Sequence, residues 1–246
     1  MRYLILSDIH SNWEALEAVL EDSKNQYDQI VCCGDLAGYG PDPNRVIEWA
    51  RENLHAVIRG NHDRACSGLD DLEWFNPIAR AATVWTTTRL SPENYDYLRN
   101  LPPGPLTVDG FQLIHGSPLD EDEYLMTAAD IRNVFDYLEA RVTFFGHTHL
   151  QGGYGRANGT FHGLGQIDGP HSEIWRKLEP DGIYLINAGS VGQPRDGDPR
   201  AAYALFDSDS LELLQRRVRY DFRATQAKIE AAGLPDILAS RLAVGR

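Results

Sequence analysis

The chain has 246 residues, 42% hydrophobic and 24% charged, the proportions of a soluble globular protein rather than a disordered one. Its net charge is −13 and no Lys/Arg run occurs, which argues against a surface built for a nucleic-acid backbone or an anionic membrane. No apolar stretch approaches the roughly 20 residues that cross a bilayer. The opening MRYLILSDIH lacks a signal-peptide pattern, and Cys32, Cys33 and Cys66 make no disulfide framework, so a cytoplasmic protein is expected.

In chain order, residues 2–7 form a predicted first strand of mostly apolar residues. Residues 11–25 come next as a helix, with Leu16, Val19 and Leu20 as its apolar stripe and Ser11 with Glu14 as a capping box. Residues 29–33 are a second strand. A second helix opens at Pro43, capped by Asp42, and runs to about Asn53, and residues 55–59 make a third strand. Between about 64 and 110 the texture changes: residues 75–90 and 92–101 read as helices, ended by Pro102-Pro103-Gly104-Pro105. We read this as a helical insertion in a single domain spanning 1–246, one that either roofs a site or forms a subunit interface. Two more strands lie at 111–114 and 142–145. Residues 182–187, 200–207 and 211–220 also read as strands, the last two joined through Ser208-Asp209-Ser210, and a helix at about 221–232 stops at Gly233. Short apolar runs alternating with helices give an α/β class, with more antiparallel structure towards the end.

The chemical signal sits in the residues at the end of each strand. The five strands from 2–7 to 142–145 end in Ser7-Asp8-Ile9-His10, Cys33-Gly34-Asp35, Gly60-Asn61-His62-Asp63, His115-Gly116-Ser117 and Gly146-His147-Thr148-His149. Asp, His and Asn are thus delivered at carboxyl ends, where open α/β sheets place their ligand sites. One such residue after a strand is commonly a cap or turn residue, and Asp-x-His or His-x-His alone is weak. The ordered set is strong, because independent turns have no reason to use imidazole at five positions. Carboxylate, imidazole and amide oxygen without thiolate suit Mn²⁺, Fe²⁺, Ni²⁺ or Zn²⁺. Their number exceeds one tetrahedral site and suits two ions about 3.5–4 Å apart that share a carboxylate.

In order and composition these motifs resemble those of the calcineurin-like metallophosphoesterase superfamily, its small bacterial and archaeal phosphodiesterase branch in particular. Asn187-Ala188-Gly189-Ser190-Val191-Gly192 extends the similarity beyond residue 149. The resemblance implies a four-layer αββα sandwich of two mixed β-sheets, with a dinuclear metal centre on one edge. It implies that Asp8, His10 and His149 hold one ion, that Asn61, His115 and His147 hold the other, and that Asp35 bridges them with a water or hydroxide. It makes His62 the catalytic residue, standing over the phosphoryl group and able to protonate the leaving oxygen. Asp63 either orients His62 or caps the next turn.

In the superfamily's protein phosphatases Gly-Asp is followed by a segment ending Asp-Arg-Gly, whose arginine grips phosphate. Here the segment after Gly34-Asp35 is Leu36-Ala37-Gly38-Tyr39-Gly40-Pro41, with no arginine. Arg195 is a candidate replacement, or else a solvated loop residue. Tyr39 either stacks on a substrate ring or belongs to a rigid turn. His162 and His171 lie in a Gly-rich stretch without family motifs and read as structural or exposed. The expectation is a metal-dependent phosphoesterase, a phosphodiesterase before a monoesterase, that hydrolyses a small phosphate ester or nucleotide through two divalent ions, Mn²⁺ first, and a metal-bound hydroxide. The alternative is a non-catalytic binding module on the same fold. Such modules typically lose ligands, whereas here every position is filled.

Overall fold

In the computed structural model, which describes residues 1–73, 75–167 and 169–246, β1 (Arg2–Leu6) leads through α1 (Trp13–Asp22) to β2 (Gln29–Cys32). Then come α2 (Pro43–Asn53), β3 (Ala56–Val57), α3 (Asn61–Cys66), α4 (Pro77–Thr87) and α5 (Pro92–Arg99). β4 (Leu106–Val108), β5 (Phe111–Leu113), α6 (Ala128–Val134) and β6 (Val142–Phe145) continue the chain. The rest comprises β7 (Gly152–Ala157), β8 (Thr160–Gly163), β9 (Glu173–Lys177), β10 (Ile183–Asn187), β11 (Ala201–Asp207), β12 (Glu212–Val218), α7 (Phe222–Ala231) and α8 (Asp236–Ser240).

The strands make two six-stranded mixed sheets, ordered β3-β2-β1-β11-β12-β9 and β4-β5-β6-β10-β7-β8. β1, β2 and β3 run parallel in the first, as do β5, β6 and β10 in the second, and the other pairings are antiparallel. Alternation along β1 explains the layering, since successive side chains leave opposite faces of a strand. Tyr3 and Ile5 enter the core between the sheets with Phe111, Phe144, Ile186 and Phe206, whereas Leu4 and Leu6 pack outward with Leu16, Val19, Val46 and Ile47 of α1 and α2. Ile131 and Val134 of α6 cover the outer face of the second sheet against Phe145 and Leu185. The result is the αββα sandwich. Truncating a ring such as Phe144, which is fully buried, would cost about 3–5 kcal/mol.

A fourth apolar cluster joins Ala79 and Ala82 of α4 to Ile229 and Leu238 of α7 and α8, with Tyr39 beside them. α4 is therefore tied to the C-terminal helices, next to the loop after β2, whereas Leu98 of α5 packs into the cluster of α1 and α2.

Local readings need several corrections. Asn12, not Ser11, caps α1, its side chain accepting from Ala15 N–H at 3.2 Å, because Ser11 sits at φ 54° and Glu14 is drawn to Thr225 and Lys228. Asp42 precedes α2 but makes no side-chain cap, since its carboxylate meets Lys228 Nζ at 2.8 Å. The third strand is only Ala56–Val57, so the Gly60-Asn61-His62-Asp63 motif does not follow it directly, and Asn61 opens α3. β4, α6, α8 and the run β7 to β9 have no counterpart among the elements expected from sequence. β7 is glycine-rich, β8 is mostly exposed, and β9 alternates exposed and half-buried residues, so none of the three has a long apolar run to betray it. His162 and His171 are exposed. Among the described residues no helix is long and apolar enough to cross a membrane.

Candidate metal centre

Both sheets end at the same edge. The loops after β1 and β2 are zipped together by backbone hydrogen bonds from Asp8 to Gly34, His10 to Asp35 and Ser11 to Leu36, at 2.9–3.0 Å. This sets Asp8, His10 and Asp35 side by side. From the second sheet, β5 delivers His115 and β6 delivers His147 and His149, while α3 brings Asn61. The backbone N–H of His147 donates to both Asp8 carboxylate oxygens at 3.1 and 3.2 Å, joining the two sheets at the site.

The side chains gather into two groups that share Asp35. Ligand atoms of Asp8, His10, Asp35 and His149 lie within 4.8 Å of one another, as do those of Asp35, His115 and His147. Asn61 joins the second group, its Oδ1 lying 3.2 Å from His115 Nε2 and 3.1 Å from His147 Nδ1. Asp35 Oδ2 is 3.5 Å from His10 Nε2 and 3.4 Å from His115 Nε2, and it is buried without a hydrogen-bond partner.

Hydrogen bonds behind the rings fix what they present. Nδ1 of His10 donates to the Ala37 carbonyl at 3.0 Å, that of His115 to Cys33 at 2.8 Å and that of His149 to Gln193 at 2.5 Å. A carbonyl only accepts, so these rings turn bare Nε2 lone pairs towards the centre. His147 is turned over: its Nε2 donates to the Asp122 carbonyl at 3.1 Å and its Nδ1 faces inward. His10 and His149 thus bring two lone pairs 3.1 Å apart, beside carboxylate oxygens. Such a set of acceptors repels itself unless a cation lies among them. The donors present therefore fit divalent metal ions.

The electrostatics agree. Burial pushes Asp8 and Asp35 up, but the imidazoles beside them, His149 for Asp8 and His115 for Asp35, outweigh it and hold both carboxyls below the usual range. Burial opposes a charged His115, yet the Asp35 carboxylate outweighs it and lifts His115 to about 10, as a site that attracts positive charge would. Burial, with His115 nearby, drops His147 to about 3 and drives His10 and His149 down as well.

Backbone conformation is part of the construction. Asp8, His10, Asp35, His147 and His149 all have φ between 48° and 64°, a left-handed region costing a non-glycine residue on the order of 1 kcal/mol or more. Two glycines make the close packing possible. A Cβ on Gly60 would fall 2.1 Å from Asp35 Oδ1, and one on Gly146 would fall 1.9 Å from Ser7 Oγ and 2.7 Å from Asp8 Oδ2.

His62 is 4% exposed and lies outside both groups. Its backbone N–H donates to Asp35 Oδ1 at 2.9 Å, while its Nδ1 is buried without a partner. Burial, helped by the charge of Arg195, lowers it to about 4. Asp63 makes no hydrogen bond to His62 Nδ1. Its carboxylate accepts from Gly60 N–H at 3.1 Å and Ala37 N–H at 2.9 Å, capping α3 and holding the loop after β2. Of the two roles open to Asp63, the structure selects capping. Tyr39 is 6% exposed; its ring packs against His10 and His62 at centroid distances of 4.7 and 4.4 Å, and it also lines the pocket beside the cluster. Arg195 is not a solvated loop residue: its Nη2 donates to Tyr39 OH at 3.3 Å, and its Nε is buried without an acceptor. Asn61, His62, Phe75, Tyr124 and His147 line a pocket of about 290 Å³ beside the cluster.

Sequence reasoning missed the carbonyls of Ala37, Cys33, Asp122 and Gln193, because a backbone acceptor has no residue signature. It also missed Arg64 and Asp122, whose pairing joins α3 to the loop before α6 (Nη2 to Oδ2, 2.7 Å).

With this edge, fold and donor set in view, the class is defined: residues 1–211 match the model of the calcineurin-like phosphoesterase superfamily domain, and the chain belongs to that superfamily, whose hydrolases use divalent metals. It is 36% identical over 251 residues to an uncharacterized protein of Methanocaldococcus jannaschii, a match covering 98% of this chain and 97% of the relative. A metallophosphoesterase structure from Sphaerobacter thermophilus is similar with TM-score 0.86 and 40% identity, over 100% of this chain and 99% of that one. A hypothetical protein from Pyrococcus horikoshii shares the fold, with TM-score 0.79 and 20% identity over 100% and 98% of the two chains.

Proposed function

We propose that the protein is a phosphoesterase with a dinuclear centre, acting on a small phosphate ester or nucleotide, and on diesters in preference to monoesters. The observation that carries this reading is the shared carboxylate: Asp35 Oδ2, buried and unpartnered, stands between two groups of inward-facing acceptors. Asp8, His10, Asp35 and His149 hold one ion, and Asn61, His115, His147 and Asp35 the other, with Mn²⁺ the first candidate and Fe²⁺, Ni²⁺ and Zn²⁺ next. Bound ions supply charge for a phosphoryl oxygen and an activated water for in-line attack.

The chain's own residues do the rest. His62 meets the charge developing on the phosphoryl group and protonates the leaving oxygen, an anionic substrate favouring its protonated form against the effect of burial. Arg195 offers its free Nε–H to a phosphate oxygen from the side of Tyr39. The pocket of about 290 Å³ has room for a small leaving group. No arginine stands just after Gly34-Asp35, where protein phosphatases carry one, and this favours small substrates over phosphoproteins. The net charge of −13 favours them over nucleic acids.

The test is hydrolysis of bis(4-nitrophenyl) phosphate by chelator-stripped protein before and after Mn²⁺ is returned. Activity lost on stripping and regained with metal is expected. Fully metallated protein that cleaves neither activated diesters nor monoesters would replace this reading with the binding module.

A further inference from the structure

His147 is held differently from the other inward-facing imidazoles. His10, His115 and His149 lean on carbonyls at the ends of strands or in loops zipped to them, but His147 leans on the carbonyl of Asp122. That carbonyl belongs to the connection of residues 117–127, which exposes Leu119, Tyr124 and Met126 to solvent. Tyr124 of the same connection packs on the His147 ring at 3.9 Å between centroids. An irregular segment orients a ligand only as well as it is itself held.

Arg64 holds it. From α3, one turn after Asn61, its guanidinium reaches Asp122 Oδ2 at 2.7 Å, Asp70 Oδ2 at 2.8 Å and Glu121 Oε1, and Arg59 adds two bonds to Glu121 at 2.9 and 3.1 Å. The group totals two guanidiniums against three carboxylates. An anionic substrate gains nothing there, so Arg64 is not a phosphate grip although it lines the pocket. Its geometry serves another end: one residue fixes both the helix that carries Asn61 and the carbonyl that turns His147.

We propose that Arg64 is a positioning residue for the Asn61–His115–His147 half of the centre, acting through Asp122. This rests on the dinuclear reading of the site. Losing a partner behind a metal ligand typically weakens metal binding by about 10–100-fold. In Mn²⁺ titrations of the stripped full chain, Arg64→Met should therefore raise the dissociation constant of one ion by about that factor and leave the other within about threefold. Saturating Mn²⁺ should restore diesterase activity, which it would not do for a generally damaged fold. Asp122→Asn, which keeps the carbonyl but loses the ion pair, should shift the same ion, and the double variant should be no worse than Arg64→Met. Should Arg64→Met fail to fold, Asp122→Asn decides by the same readout. Two ions bound with unchanged affinity, or both weakened equally, overturn the inference. Wild-type protein that binds no Mn²⁺ overturns the dinuclear reading, and this inference with it.

Discussion

His62 holds Asp35 with its backbone, not with its ring: the N–H donates to Oδ1 at 2.9 Å while the imidazole Nδ1 stays buried without a partner. Replacing the side chain leaves that support of the shared carboxylate intact, so the chemistry of His62 can be separated from metal binding.

His62→Asn should therefore retain its metal content. General acid catalysis is worth about 10²–10⁴-fold where the leaving group needs a proton. Activity should fall modestly on nitrophenyl esters, whose phenolate leaves unaided, and by that larger factor on alkyl or nucleoside esters. Equal losses on both would restrict His62 to charge stabilisation, and loss of metal would make it a ligand.

Asp35→Asn should lower the metal content from near two ions towards one or none, because one oxygen serves both groups. His149→Ala should weaken chiefly the group of Asp8 and His10. Elemental analysis of the two variants separates these outcomes, and undiminished occupancy in Asp35→Asn would refute the bridge. Mn²⁺ should stabilise the wild type by about 2.7 kcal/mol per site at a hundredfold excess over Kd, read as a higher melting temperature.

Gly60→Ala tests how tightly the carboxylate is packed. The added methyl would stand 2.1 Å from Asp35 Oδ1 and 2.6 Å from its backbone nitrogen, and the backbone cannot give way cheaply. A loss of about 1–3 kcal/mol in urea unfolding of the metal-free protein is expected, with reduced metal content. Wild-type stability and occupancy would show that the loop relaxes freely.

Lys228 ties α7 to Glu14 of α1 and to Asp42 ahead of α2. Partial burial lowers its pKa, but the carboxylates of Asp42 and Glu14 outweigh this and raise it above 10.5. A cation whose pKa is higher in the folded state stabilises fully below its unfolded value, and the contribution is lost as pH rises through the folded one. The urea midpoint of Lys228→Met should thus lie below wild type by a constant margin up to about pH 10, narrowing above it. A margin that widens with alkali would contradict the assignment.

Most side-chain types of the centre were legible in the sequence because they stand just after a strand, where local order alone places Asp8, Asp35, His115 and His147 at carboxyl ends, whereas Asn61 opens α3. The α/β class was legible because short apolar runs with fixed punctuation survive as a pattern in one dimension, whereas the sandwich was expected only from the resemblance of the motifs to the superfamily. What the tertiary structure decided depends on segments far apart in the chain. The strands β7 to β9 lack the apolar run that signals burial and take their place by pairing with β10 and β12. The cap of α1 passed from Ser11 to Asn12 because zipping to Leu36 puts Ser11 at positive φ. The direction in which each imidazole points was set by carbonyls up to 82 residues away, groups that every residue carries and no sequence marks. Residue identity supplies the donors. Only packing brings the two sheet edges close enough for their lone pairs to converge.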